Sequence, residues 1–382
     1  MDASSLYAMA LTALAVAGVP LCIVLLSSDA NKYRKLVWVM VFLTFDLIVF
    51  GAFTRLTDSG LGCPDWPGCY GAANPFIAHE QIAAAEALMP TGPVTKAKAW
   101  IEMIHRYLAM GIGFLIMVLM CGSIHQWIKT HRRAFAPGLP VALFLLVCVQ
   151  GAFGAWTVTL KLQPVIVTIH LLLGMTLLAM LAWLGERENA LMAPPAPSRN
   201  LAALHRLRWL TLFAAAVLLV QIALGGWVST NYATLACDEF PFCDGKLVPD
   251  MDFEHGFTLW RELGKTAAGH YLQFSAPVAI HWVHRNFALV VTVVLGLAAW
   301  RAWREPQLRR TARLIALVLL VQLFTGVATV FFAFPLAIAV LHNAGAALLV
   351  LLVTMLNYKV KYLLEASRYA GVKSAAAANS YR

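Results

Sequence analysis

The sequence predicts an all-α polytopic membrane protein: two tandem four-helix transmembrane bundles related by a pseudo-two-fold repeat, preceded by one extra N-terminal helix. Three observations predict it. The 382-residue chain is 60% hydrophobic and 13% charged, with a mean hydropathy of +0.72. A soluble domain carries about twice that charge. Nine apolar segments come close to the ~20 residues that cross bilayer hydrocarbon, and none alternates as a barrel strand does. Segments two to five also resemble segments six to nine.

The segments are 6–26, 36–53, 101–121, 141–159, 165–184, 210–228, 278–300, 314–332 and 336–356. The first has two readings, a cleaved signal peptide or a retained helix. It lacks a basic start and is long for the apolar core of a signal, so a retained helix within 1–30 is expected. The two halves follow at 31–190 and 201–362, with a cytoplasmic linker at 191–200 and a cytoplasmic tail at 363–382.

Charge sets the orientation. Lys32, Arg34 and Lys35 follow the first segment, and His125 to Arg133 follow the third. Arg187, Arg199, Arg206 and Arg208 separate the fifth from the sixth. Arg301 to Arg313 separate the seventh from the eighth, and Lys359, Lys361, Arg368, Lys373 and Arg382 close the chain. This alternate set of connections holds 20 of the 29 Lys and Arg. The opposite set holds seven: Arg55, Lys96, Lys98, Lys161, Lys246, Arg261 and Lys265. Arg106 and Arg285 sit just inside helices. The basic connections are therefore expected in the cytoplasm, with the N-terminus outside and the C-terminus inside. The net charge of +10 reports topology and not a nucleic-acid partner.

Two long loops then face outward, 54–100 and 229–277. Both exceed an ordinary connection and are expected to be functional. Residues 76–88 read as a short amphipathic helix on the outer surface. The run Ala193, Pro194, Pro195, Ala196, Pro197, Ser198 is a stiff linker.

Within the repeat, 101–106 aligns with 280–285. Gln150 and Gly154 align with Gln322 and Gly326, and each glutamine precedes a histidine, His170 or His342, by 20 residues. Asp46 and Gly51 align with Gln221 and Gly226. Each inside-to-outside helix of the repeat thus carries one polar residue with a glycine four or five residues on. Interhelical packing and hydrogen bonding explain that pattern best.

Four histidines form the first-choice site: His105, His170, His284 and His342. Each lies on a helix entering from outside, at a similar depth of roughly 10 Å, and each half supplies two. Zinc fits poorly, because two histidines per half leave a tetrahedral site short. Paired imidazoles on facing helices suit the axial positions of haem iron. Arg106 and Arg285 have two readings, ligands for haem propionates or snorkelling to lipid headgroups. Glu102 lies one turn from His105, and in the other half its place is taken by His281. That asymmetry suggests one site for chemistry and one for electrons; a purely structural hydrogen bond from Glu102 is the alternative.

Cys63 and Cys69 form one close pair and Cys237 and Cys243 another, both in outward loops where disulfides are plausible. They read equally as local staples or as redox-active pairs. Cys22, Cys121 and Cys148 lie in helices and are expected to be inert.

The run Gly51, Ala52, Phe53, Thr54, Arg55, Leu56, Thr57, Asp58, Ser59, Gly60, Leu61, Gly62, Cys63, Pro64, Asp65, Trp66, Pro67, Gly68, Cys69, with Glu102, His105, Arg106, His284, Arg285 and His342, resembles the heme A synthase family. The resemblance spans residues 35–362. It implies oxidation of the C8 methyl of heme O to a formyl group by successive hydroxylations, giving heme A for terminal oxidases. It implies that the first half holds heme O through His105 and His170 with Glu102 as the catalytic residue, and that the second holds a haem b cofactor through His284 and His342. It also implies that Cys63 and Cys69 matter for activity. The cysteine pairs make the chain similar to bacterial members, which places it in the inner membrane with its haem sites toward the periplasm. The segment before Asn31 departs from the eight-helix family core.

Glu102 is read as a base for an incoming water or as a stabiliser of a cationic intermediate. A heme O synthase is the expected partner besides membrane lipid. The electron donor or acceptor and the oligomeric state are left open, a homo-oligomer included. Three other functions compete: a di-haem b-type electron carrier, a thiol-oxidising protein built on the cysteine pairs, and a transporter, for which few inward charges are found.

Overall fold

The computed structural model describes residues 2–131, 135–192, 195–198 and 200–380, with side chains to residue 369. Arg132, Arg133, Arg199, Arg382, the Lys373 side chain, and Ala193 and Pro194 of the linker lie outside the described residues. Among the described residues the elements are α1 (Ala3–Leu26), α2 (Lys32–Leu56), α3 (His79–Leu88), α4 (Lys96–Thr130), α5 (Gly138–Thr159), α6 (Pro164–Met192), α7 (Leu201–Thr230), α8 (Phe253–Gly256), α9 (Ser275–Trp303), α10 (Arg309–Phe331) and α11 (Leu336–Ser380). Among the described residues, nine of these, all but α3 and α8, are long and apolar enough to cross a membrane.

Local chemistry sets the starts. Asp2, Asn31, Thr95 and Asn200 each accept a backbone N–H from the first turn of the helix they precede, as good N-cap residues do. Pro164 opens α6, where a missing N–H costs nothing. The helices overrun the apolar segments because hydropathy marks only the hydrocarbon-spanning part. α11 continues well past residue 356, and Tyr358, Leu363, Leu364 and Ser367 there are buried. α3 begins three residues later than the expected 76, because the Asn74 side chain first caps a turn at Ile77. Phe76 packs edge-on against Trp100 of α4, centroids 4.5 Å apart.

α2, α4, α5 and α6 form one ring: α2 touches α4 and α6, and α5 touches the same two. α7, α9, α10 and α11 form a second ring with the same order of neighbours. The rings meet along α6–α7, α2–α11 and α6–α11, and α1 lies outside the first ring against α4 and α2. Met40, Leu115, Ile116, Leu119, Leu178 and Leu181 fill the first ring; Leu295, Ala298, Ile315 and Leu356 belong to the same continuous core. Close packing of this kind, rather than a hydrophobic drive, holds helices together in lipid.

At the end opposite the cysteines, polar groups tie helices together, one pair across the rings and one cluster within the second ring. Lys359 of α11 reaches Glu186 of α6 at 3.8 Å. Asn357 Nδ2 donates to the Thr211 carbonyl of α7 at 2.9 Å and its own carbonyl accepts from Arg208 at 3.0 Å.

Candidate functional site

In each ring the two histidines stand at opposite corners. α4 carries His105 and α6 carries His170, with α2 and α5 between them; α9 carries His284 and α11 carries His342, with α7 and α10 between them. His105 and His170 lie within electrostatic range of each other, as do His284 and His342.

Every one of these imidazoles rests on a glycine of the adjacent helix. A Cβ at Gly51 would come 3.0 Å from His105 Nε2, and at Gly154 3.3 Å from His170 Cε1. At Gly225 it would come 2.9 Å from His284 Cε1, and at Gly326 3.2 Å from His342 Cε1. The glycines after the polar residues therefore seat the histidines as well as packing helices. They also correct the repeat register on one helix. Gly51 corresponds to Gly225 and not Gly226, so Gln221 faces the position of Leu47. Asp46 corresponds to Val220, and both are exposed on the outer faces of their helices.

The glutamines support the histidines directly. Gln221 Nε2 donates to the His284 carbonyl at 3.2 Å and lies 3.2 Å from its Nδ1. Gln150 Nε2 donates to the His170 carbonyl at 3.1 Å. Thr325 Oγ1 donates to the Val321 carbonyl at 2.9 Å, so it accepts from His342 Nδ1–H, also at 2.9 Å. The Nε2 lone pair of His342 is then free for a ligand.

Four buried atoms at this level have no partner: His170 Nδ1 and the Oε1 atoms of Gln150, Gln221 and Gln322. An imidazole that ligates a metal through one nitrogen carries a proton on the other and needs an acceptor there. Thr325 Oγ1 is such an acceptor for His342; at His284 and His170 the neighbouring amide turns its Nε2 toward the ring. Among the described residues no three His, Cys, Asp or Glu side chains converge as a metal site. Two opposed imidazoles per ring fit the axial positions of one haem, not a tetrahedral ion.

Over each ring sits a closed cysteine loop. Cys63–Cys69 and Cys237–Cys243 are disulfide-bonded, with S–S distances of 2.05 and 2.01 Å. Trp66–Pro67 and Phe240–Pro241, at matching places, are cis. Asp65 accepts the N–H groups of Tyr70 and Gly71 at 2.6 and 2.7 Å and shapes the first loop. Gly62 allows that loop to lie on the α4 backbone at Lys98, where a Cβ would overlap.

Arg106 and Arg285 are the pins of these loops. Arg106 Nη1 donates to the carbonyls of Asp65, Pro67 and Gly68. Arg285 donates to those of Glu239 (2.7 Å), Pro241 (2.8 Å) and Phe242 (2.8 Å). Glu102 Oε2 accepts the Cys63 N–H at 2.8 Å, and Oε1 is paired with Arg106. In the second ring His281 Nδ1 takes the same role, accepting the Cys237 N–H at 3.3 Å. The Glu102–Arg106 pair is buried. Arg106→Leu strands a buried carboxylate, which costs about 3–5 kcal/mol. Proteolysis between residues 63 and 69 is expected to quicken and the unfolding temperature of the detergent-solubilised protein to fall. Unchanged values on both counts would show the pair to be dispensable.

Sequence reasoning missed a link between the rings. Arg55 donates to Asp58 at 3.2 Å and to the Ser229 carbonyl at 2.6 Å, and stacks 4.1 Å over Tyr232. Tyr232 donates to Asp58 at 2.7 Å. Burial pushes its phenol above the ordinary range, so it stays a donor. The only sequence signal was one basic residue at the end of an outward-running helix. Cys22, Cys121 and Cys148 are exposed and unbonded on their helices.

The family model for cytochrome oxidase assembly proteins (COX15-CtaA) matches residues 34–354. The chain is 38% identical over 330 residues to a heme A synthase of Shewanella oneidensis, covering 85% of this chain and 96% of that protein. It is 30% identical over 344 residues to a heme A synthase of Chelativorans sp., covering 84% and 90%. Against a heme A synthase of Caulobacter sp. it is 29% identical over 356 residues, covering 88% and 98%.

Proposed function

We propose that this chain, which belongs to the COX15-CtaA family of cytochrome oxidase assembly proteins, is a heme A synthase, an oxidoreductase that converts heme O to heme A. The observation that carries the mechanism is the pair of opposed-histidine rings, alike in their glycine seats and unlike at one position: Glu102 in the first, His281 in the second. The first ring holds heme O as substrate between His105 and His170. The second holds haem b between His284 and His342, and bound haem b supplies one-electron redox chemistry.

Glu102 accepts from a backbone N–H and pairs with Arg106. Both contacts fix the carboxylate in place beside a cation. That favours an electrostatic role, stabilising positive charge that develops at the substrate carbon, over a role as a base with a freely moving proton. Arg106 and the Cys63–Cys69 loop are its positioning groups. All four bonded cysteines are fully buried, so an attacking thiol cannot reach them while the loops are closed. This supports the staple reading. The distribution of Lys and Arg supports a multi-pass protein of a bacterial inner membrane, with both cysteine loops and the haem sites toward the periplasm and the C-terminus in the cytoplasm. A heme O synthase is the natural supplier of substrate. The matching order of neighbours in the two rings supports a pseudo-two-fold relation between them.

The activity is tested in cells that make heme O and no heme A. Expression of this chain should produce heme A; an unaltered heme O pool would refute the proposal. The seat of the second haem has its own test. Gly225→Ala is expected to push the His284 ring aside and lower low-spin haem content by about 10-fold or more, as loss of support for a ligand does. Visible spectra of the purified variant report it, and a wild-type haem content would show that the glycine seat does not matter.

A further inference from the structure

The second ring carries a buried cation that nothing above uses. Arg261, in the loop between α8 and α9, is 3% exposed. One Nη donates to Asn231 Oδ1 and the other to the Lys265 carbonyl at 3.3 Å. Its Nε is buried without a partner. No carboxylate of the described residues pairs with it, whereas Arg106 has Glu102 and Arg55 has Asp58. Burial lowers its pKa, but an arginine keeps its charge in a protein. A buried charge without a counter-charge is strongly unfavourable and implies an anion.

Its surroundings place it at the outer end of the second ring. The guanidinium stands 6.0 Å from the Trp227 ring centroid. Trp227 Nε1–H donates to the Gly256 carbonyl at 2.9 Å, and the ring packs with Ile280. Ile280 is one turn before His284 on α9, and Trp227 is two residues after Gly225 on α7. Asn231 is six residues beyond Gly225, ~9 Å along the helix. Arg261 thus caps the cysteine-loop end of the helix pair that presents His284. The three acceptors of Arg285 are all carbonyls. The second ring therefore holds two cations with no acid paired to either, while the first ring's Arg106 is neutralised.

We propose that Arg261 is a carboxylate-binding residue that takes a propionate of the haem held by His284 and His342, through its free Nε–H. The proposal rests on the haem reading of that ring.

The test uses the full-length chain in a His170→Leu background, so that the second ring alone reports. The chain with Arg261, and the same chain with Arg261→Gln, are loaded with haem b or with its dimethyl ester. Haem loss to a scavenger and the midpoint potential are measured. With Arg261 present the ester should leave about 10-fold faster than the acid, the size of one charge-assisted hydrogen bond. In the Arg261→Gln chain, acid and ester should leave at the same fast rate, and the midpoint potential of haem b should fall because a cation favouring the reduced iron is gone. Equal loss of acid and ester from the Arg261 chain overturns the proposal, whether or not the variant accumulates. So does an unchanged acid-to-ester ratio in the variant. A chain that takes up neither compound refutes the haem reading itself, and this proposal with it.

Discussion

Exchanging Glu102 for glutamine is expected to leave haem in both rings and to cut heme A formation by about 100-fold or more. Glutamine keeps the volume and can still accept the Cys63 N–H that Glu102 holds at 2.8 Å. What it removes is the negative charge. Removing one electrostatic contact to a developing charge in a buried site typically costs ~10²–10³ in rate. Arg106 retains the carbonyls of Asp65, Pro67 and Gly68, so the loop keeps most of its anchor. Glu102→Asp is the control: it keeps the charge, shortens the arm and should recover part of the activity. Extracted heme A per haem b is the readout. Full heme A output from the glutamine variant would reduce Glu102 to a loop anchor.

Replacing His342 by leucine should have an effect as large, through the other ring. Leucine fills a similar space and offers the iron nothing. Thr325 loses its Nδ1 partner but still donates to the Val321 carbonyl, so the helix pair should hold. The second ring should lose its low-spin haem, beyond the ~10–100-fold that removal of an outer-shell partner costs a metal site. Heme A formation should stop while heme O still binds at His105 and His170. Electron paramagnetic resonance of the purified variant distinguishes the rings; an undiminished second low-spin signal would exclude His342 as a ligand.

Much of this was legible in the sequence because a membrane leaves few choices. Apolar length marked the nine helices of the described residues that are long enough to span, and the histidines stood out because ionisable groups are rare in such helices. The difference between Glu102 and His281 was visible as a break in an otherwise matching stretch. Other features were hidden for physical reasons. Arg106 and Arg285 read as ligands or snorkelling groups because sequence does not show which carbonyls a folded loop offers. Instead they bind the loops over each ring. Asp46 aligned with Gln221 because a one-residue slip is invisible without the ring contact that defines register. On a helix that slip turns a side chain by ~100°, from the interior to the outer face. Arg261 was one of seven basic residues in outward loops, and only its burial without an acid separates it from the rest.

The most direct measurement is extraction and chromatography of the haems from protein purified out of cells that also make heme O. Haem b is expected together with heme O, heme A or a hydroxylated intermediate between them, because the two rings are inequivalent. Haem b alone would contradict that inequivalence and leave an electron carrier with a structural Glu102, and the absence of any haem would undo the reading of the four histidines.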